Sequence, residues 1–379
     1  MIFRPFIILS IFLFSFGAAA QNSSNKAYHR MEGTIGDDIE VTANFIRLFD
    51  NIKGNYQYKF KDDDATMFYG KMLEFEGKLL KNDSLYLLEY GSEKPSIKGV
   101  WNDNSFTGEW KVPDEKNDYM DVLLKEYYPS GSLQFDLFYF NSEENLVSKD
   151  VDSPKATLEL TFIYPKKNFL NPGILDSIRR IINKGFFGNN FIQATPAKML
   201  ADFENEYYHN YKTANLELYK KMDGASLSWA SLNNMSVLFN SDYLLCVEYE
   251  KYAYTGGAHG ITNDSYDIID LKNGKTLTYN DIFVDNADSA LSAILTAHML
   301  KKYRTEKAAS LKQLGFFTDK ILPNQNIYVT GNGIGFKYAS YEVAPYSYGL
   351  PEVFINFDEI KQLIRPGTPI YRLSRQKQQ

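Results

Sequence analysis

The chain has 379 residues, with 41 Lys and Arg against 47 Asp and Glu, a formal charge of −6 with histidine neutral. That acidic balance argues against a nucleic-acid or anionic-membrane partner, either of which would require clustered Lys and Arg. A single cysteine, Cys246, excludes an intrachain disulfide, so stability must come from packing in a chain long enough for two or more cores.

Residues 1–20 read as a signal peptide. Arg4 supplies the positive start, Phe6 to Phe16 the largely apolar run, and Ala18-Ala19-Ala20 before Gln21 the small-residue cleavage site. The mature protein is then expected to be periplasmic or extracellular, with no stable membrane insertion after cleavage. Losing Arg4 takes its charge to −7. The composition, with 28 Tyr and 27 Phe, leans towards sheet.

From about 28 to 145 the text reads as an antiparallel all-β module, a meander or barrel-like unit of short strands joined by turns. Asp62-Asp63-Asp64 is a solvated turn, and Asn102-Asp103-Asn104 separates two aromatic runs. Pro129-Ser130-Gly131 is expected to close a hairpin in "VLLKEYYPSGSLQFDLFYF". Gly70, Gly77, Gly91, Gly99 and Gly108 are too irregularly spaced for a repeat and read as turn and bulge positions. Of Trp101 and Trp110, at least one is expected in the core.

The polar stretch 141–156 marks a change of grammar, and the chain beyond it is α+β. In the region 155–250, "ATLELTFIYP" is a strand with Leu158, Leu160 and Phe162 on one face. Asn171-Pro172 opens a helix carrying Ile174, Ile178, Ile181 and Ile182, and Pro196 opens a longer one, on which His209 is solvated. Two strands come next around Asn240-Ser241-Asp242, with Cys246 in the second as a small buried hydrophobe. In the region 251–366, Asn273-Gly274 marks a hairpin and 288–303 a helix. "NIYVTGNGIGFKY" is a second hairpin, and "VFINF" leads to a terminal helix starting at Asp358. Residues 367–379 form a short polar tail.

Little in the chain carries chemistry by motif. There is no G-x-S-x-G, H-E-x-x-H or C-x-x-C, and the Gly331-Asn332-Gly333 run sits between strands as a turn. A zinc set of His259, Asp264 and His298 would supply three ligands. His298, however, shares a helical stripe with Leu291 and Leu295 and reads as a core histidine. Neither a metal nor a cofactor is expected. The densest unusual stretch is "YAYTGGAHG" between two strands. Gly256, Gly257 and Gly260 there read as structural turn residues that supply backbone angles costly for residues with a Cβ. His259 then has a local hydrogen-bonding role; the competing reading makes it a general base oriented by Asp264 or Asp267.

"YAYTGGAHGITNDSYDIIDLKNGKTLTYNDIF" and the later "YEVAPYSYGLPEVFINFDEIKQLI" resemble the DUF3298 domain family. The region 155–250 is similar to the DUF4163 domain that commonly precedes it, a domain also found ahead of a peptidoglycan deacetylase domain. The resemblance covers roughly Lys155 to Pro366. It implies an α+β fold and a location outside the cytoplasmic membrane. It also implies a binding role, because the family includes the lysozyme-sensing extracellular half of an anti-sigma factor. No cytoplasmic sigma-binding segment or deacetylase domain is legible here, so neither of those roles carries over.

The first expectation is therefore a non-enzymatic envelope protein that binds a lysozyme-like muramidase or peptidoglycan. Tyr254, His259, Tyr341, Tyr346 and Tyr348 would be its contact residues. The alternatives are a cell-wall hydrolase or deacetylase using His259, and a structural scaffold of the envelope.

Overall fold

A computed structural model of the chain describes residues 25–61, 67–90, 95–102, 104–111, 119–167, 170–189, 195–221, 227–305 and 309–375. Residues 1–20, read above as a signal peptide, Asp62-Asp63-Asp64 and Asp103 lie outside these residues. The fold is α+β: an N-terminal antiparallel barrel, then two further sheets with helices.

The barrel is built from β1 (Lys26–Ile35), β2 (Ile39–Leu48), β3 (Asn51–Lys61), the short β4 (Met67–Tyr69), β5 (Leu73–Leu79), β6 (Ser84–Glu89), β7 (Ser96–Asn102), β8 (Ser105–Lys111) and β9 (Tyr119–Glu126). Pairing runs β1-β2-β3-β5-β6-β7-β8-β9 and returns to β1, which closes eight strands with β4 as an appendage on β3. Closure removes the free edges that would otherwise invite aggregation. Alternate residues point inwards and bury Met31, Phe45, Phe75, Leu87, Trp101 and Phe106. Trp101 is thus the core tryptophan, while Trp110 is half-buried and donates its Nε1–H to Glu89 at 2.8 Å. The remaining void is about 10 Å³, the lower limit for one water, so the barrel is a packed core with no ligand cup. A carboxylate plugs each end. Glu89 accepts from Tyr56 and Trp110, and Glu126 accepts from Tyr128 and contacts His29 Nδ1.

Two expectations about this module are corrected. Gly77, Gly99 and Gly108 lie within β5, β7 and β8 rather than in turns. A Cβ at any of them would stand 1.9–2.3 Å from a carbonyl oxygen of the neighbouring strand, so these positions let tightly curved strands approach. Gly70 follows β4, and Gly91 lies outside the described residues. The hairpin expected at Pro129-Ser130-Gly131 is absent. The next strand, β10 (Phe135–Asn145), pairs with β11 (Lys155–Pro165) instead of with β9. The chain therefore leaves the barrel at Glu126, ahead of the polar stretch where its composition changes.

The second sheet runs β10-β11-β12-β13-β14-β15, adding β12 (Trp229–Ser241), β13 (Leu244–Tyr254), β14 (Ile261–Asp270) and β15 (Lys275–Thr276). Between the parallel strands β11 and β12 come α1 (Pro172–Phe187) and α2 (Pro196–Tyr219), capped by the side chains of Asn171 and Thr195. Their apolar faces cover one side of the sheet through Ile178, Ile182, Phe186, Met199 and Tyr211 against Leu158, Phe162, Val247 and Tyr249. The β12–β13 turn places Asp242 and Tyr243 at positive φ, and Gly274 does the same at the β14–β15 turn.

The opposite side packs against a third sheet and its helices. These are α3 (Tyr279–Ile282), α4 (Asp288–Tyr303), β16 (Ile327–Val329), β17 (Gly333–Lys337), β18 (Glu352–Asn356), α5 (Phe357–Ile360) and α6 (Pro369–Arg375). The expected terminal helix is thus a single capped turn. The expected polar tail instead carries α6, whose Ile370 and Leu373 belong to the core. The barrel is fastened to this part through the β16–β17 turn. The buried Asn332 donates to Tyr58 O at 3.2 Å and Gly70 O at 2.8 Å, and Gly331 N–H donates to Gln57 Oε1 at 2.8 Å.

Cys246 lies in β13, fully buried, where Val329 N–H donates to its Sγ. Burial pushes its thiol well above the usual range. The folded protein is therefore expected to resist thiol-labelling reagents until denaturant is added; rapid native labelling would contradict this packing.

Candidate functional site

The glycine corner is the loop between β13 and β14. Gly256 and Gly257 have φ of 100° and 94°, the left-handed region that side chains adopt at a cost. Gly260 serves differently: a Cβ there would stand 2.4 Å from ring atoms of Tyr252. Two tyrosine hydroxyls staple the loop, Tyr254 donating to Gly257 O at 3.0 Å and Tyr346 to Gly260 O at 2.9 Å. Gly256 and Gly257 thus meet a backbone requirement and Gly260 a steric one.

Above this loop lies a second one, residues 338–351 between β17 and β18. It brings Tyr346 onto His259, with ring centroids 3.9 Å apart and planes 20° from parallel. Tyr341 stacks on Tyr346 at 5.9 Å. His259 is exposed, its Nδ1 lying 3.1 Å from Gly260 O, and Tyr341 is 50% exposed at a φ of 65°. His259, Tyr341 and Tyr346 thus stack as one aromatic corner, and Tyr254 braces the glycine loop through its hydroxyl. Tyr348 does not join it: its ring packs on Phe316 and Tyr303, and its hydroxyl donates to Leu314 O. The 3-10 turn Tyr346–Tyr348 sends the two tyrosines different ways, and Tyr348 packs half-buried against the core, away from His259.

The carboxylates proposed to orient His259 are engaged elsewhere. Asp267 accepts from Tyr249 at 2.9 Å, and burial pushes its carboxyl up to about 6. Asp264 pairs with Lys337. Three residues apart on β14, they face opposite sides of the sheet. The His259, Asp264, His298 set is likewise not assembled, since His298 is partly exposed and pairs with Glu359 at 2.7 Å. The expectation of a core histidine at 298 is corrected accordingly. Among the described residues no group of three or more His, Cys, Asp and Glu could hold a metal ion.

Beneath the corner lies a charge cluster that the sequence pattern did not reveal. Glu248 on β13 and Asp264 on β14 share Lys337, the last residue of β17, with side-chain exposures of 12, 6 and 14%. Tyr266 donates to Glu248 at 3.1 Å, and Tyr328 donates to Glu352, the register partner of Lys337. The cluster thus sits at the base of the tyrosine loop. Burial pushes the Glu248 carboxyl up to about 8, against the pull of Lys337, and the carboxylates of Asp264, Glu74 and Glu250 push the same way. Burial alone would lower the Lys337 amine, but Glu248, Asp264 and Glu352 outweigh it and hold the amine above its usual range.

Comparisons with known proteins match two stretches of the chain. Residues 280–358 match the family model for protein of unknown function DUF3298, and residues 151–262 match that for deacetylase PdaC. A crystal structure of a DUF3298 family member from Bacteroides fragilis is 28% identical. It covers 65% of this chain and 99% of its own, with a TM-score of 0.60. A DUF3298 family protein from Pseudomonas aeruginosa is 19% identical over 61% of this chain and 95% of its own, at a TM-score of 0.43. No curated protein matches the chain. Behind its N-terminal barrel, then, the chain carries a PdaC-like region followed by a DUF3298 domain.

Proposed function

We propose that the protein is an exported, non-enzymatic binding protein of the cell envelope that captures a basic, lysozyme-like protein through the aromatic corner. The observation that carries this reading is Tyr341. A bulky residue at positive φ costs of order 1–3 kcal/mol, and here that cost keeps a half-exposed ring at the rim of a stacked cluster. Tyr341 takes the angle inside a hydrogen-bonded turn, Glu342 N–H donating to Ala339 O at 3.0 Å, as Phe49 and Tyr243 do in their hairpin turns. This turn, however, sets its ring against Tyr346 on the stacked corner. Exposed, rigid tyrosines are the anchors protein interfaces favour. One face of Tyr346 is already covered by His259, which leaves less flat ring surface for a sugar. Charge supports the same partner: residues 26–126 hold 14 Lys and Arg against 20 Asp and Glu, a deficit equal to that of the whole chain. Such a field speeds encounter with a basic protein.

The test is retention of the purified protein on immobilised lysozyme and, in parallel, on purified peptidoglycan. Tyr341→Ala is expected to weaken lysozyme binding by about 2 kcal/mol, roughly thirty-fold in Kd. Alanine keeps a Cβ at the same φ of 65°, so the backbone strain stays as it is and the protein stays folded. Retention on peptidoglycan alone would reassign the ligand. Retention on neither would remove the reading.

A further inference from the structure

The two loops of the corner come from different sheets, and one buried cluster joins them. The glycine loop rises from β13 and β14, and the tyrosine loop from β17 and β18. Lys337 and Glu352 are the last register pair before the tyrosine loop opens, and Lys337 reaches across to Asp264 and Glu248. Asn326 reinforces the join by donating to Asp264 O and Lys337 O.

Around Glu248 the charges do not balance. On the second sheet it faces Asp264, Tyr266 and the adjacent Glu250. From the third sheet come Lys337, Tyr328 and Glu352, with Lys302 of α4 bonded to Glu352 O. From the barrel come Glu74 of β5 and Lys53 of β3, which also faces Glu250 and Glu159. With Glu248 protonated, Lys337 and Asp264 form a matched pair. With Glu248 ionised, a second buried carboxylate competes for the same ammonium and for one tyrosine hydroxyl.

We propose that the Glu248–Asp264–Lys337 cluster is a proton-operated latch that holds the tyrosine loop on the glycine corner and loosens when Glu248 loses its proton. Ligand capture at the corner would then weaken on the alkaline side of neutral. That last consequence rests on the binding role proposed above; the latch itself does not.

Linkage fixes the sign. The latched state holds the Glu248 proton more tightly than an opened, hydrated state does, so raising the pH from about 5 towards 8 favours opening. The experiment is amide exchange of residues 338–351 and 255–260 in the free protein, by mass spectrometry at pH 5 and pH 9. Wild type, Glu248→Gln and Asp264→Asn are compared at each pH, so that intrinsic exchange rates cancel. At pH 9 the wild-type loops should exchange about ten-fold faster than those of Glu248→Gln. The three proteins should differ least at pH 5. Asp264→Asn, which leaves Glu248 alone with Lys337, should also slow the pH 9 exchange, and it supplies the test if Glu248→Gln does not fold. Equal exchange in wild type and the variants at pH 9 overturns the latch. A pH-dependent loop in a protein that retains neither lysozyme nor peptidoglycan would support the latch and defeat the binding role.

Discussion

Gly99→Ala is expected to destabilise the protein by about 3 kcal/mol or more, at the upper end of what overpacking costs. The added Cβ would stand 2.3 Å from Thr107 O and 2.6 Å from Gly108 Cα, both backbone atoms of the adjacent strand. A side chain can rotate out of the way, but backbone in a closed barrel cannot be moved without breaking ladder hydrogen bonds on both sides. The opposing residue, Gly108, has the same restriction: its Cβ would lie 2.2 Å from Lys98 O. Both would also strike the Phe106 ring, a fully buried part of the barrel core. Gly257→Ala is the proper control, since its Cβ would meet nothing within 4 Å and only the φ of 94° is strained. That change should cost about 1–2 kcal/mol. Urea unfolding of the two variants beside wild type checks the difference. If Gly99→Ala unfolds no more easily than Gly257→Ala, curvature is not what these glycines serve.

A glycine in a β-rich sequence signals either a turn or a close approach of backbones, and spacing alone does not separate the two. The register of the β7–β8 hairpin puts Gly99 opposite Gly108, and that register is not fixed by glycine spacing. Local signals fared better: the Asn171-Pro172 helix start, the Asn273-Gly274 turn and the Cys246 strand all stand in the structure as read. The Pro129-Ser130-Gly131 hairpin failed because the partner of β10 lies downstream, a pairing that turn chemistry cannot report. At the site, the stretch "CVEYE" explains the missed cluster. Alternation of Val247 and Tyr249 with Glu248 and Glu250 ordinarily means one wet face. Here α1 and α2 cover the first face, while the barrel and third sheet close over the second, which leaves the Glu248 side chain only 12% exposed. The aromatic corner was legible as a pair of motifs, though Tyr348 was not separable from Tyr346 without the turn between them.

Burial of such acids has a global consequence: stability is expected to fall as pH rises from 5 to 8. A carboxyl whose folded pKa stands above its unfolded value stabilises the fold below the unfolded pKa, and that contribution is lost as pH rises through the folded one. For Glu248 this window runs from its ordinary value of 4.5 to about 8. Asp267 acts in the same direction only up to about 6, and Glu89 and Glu159 are also raised by burial. The slope from one such group is at most about 1.4 kcal/mol per pH unit. Buried lysines oppose it later. Lys53, Lys251 and Lys302 are held below their usual range by burial, so the unfolded chain binds more protons there and stability recovers towards pH 10. Glu248→Gln removes one contribution and leaves the others in place. It should match wild type near pH 5 and exceed it at pH 8, when measured by urea unfolding at pH 5, 6, 7 and 8. Parallel curves for the two proteins would mean that Glu248 ionises freely in the folded state, and that the space between the three sheets is wetter than its packing indicates.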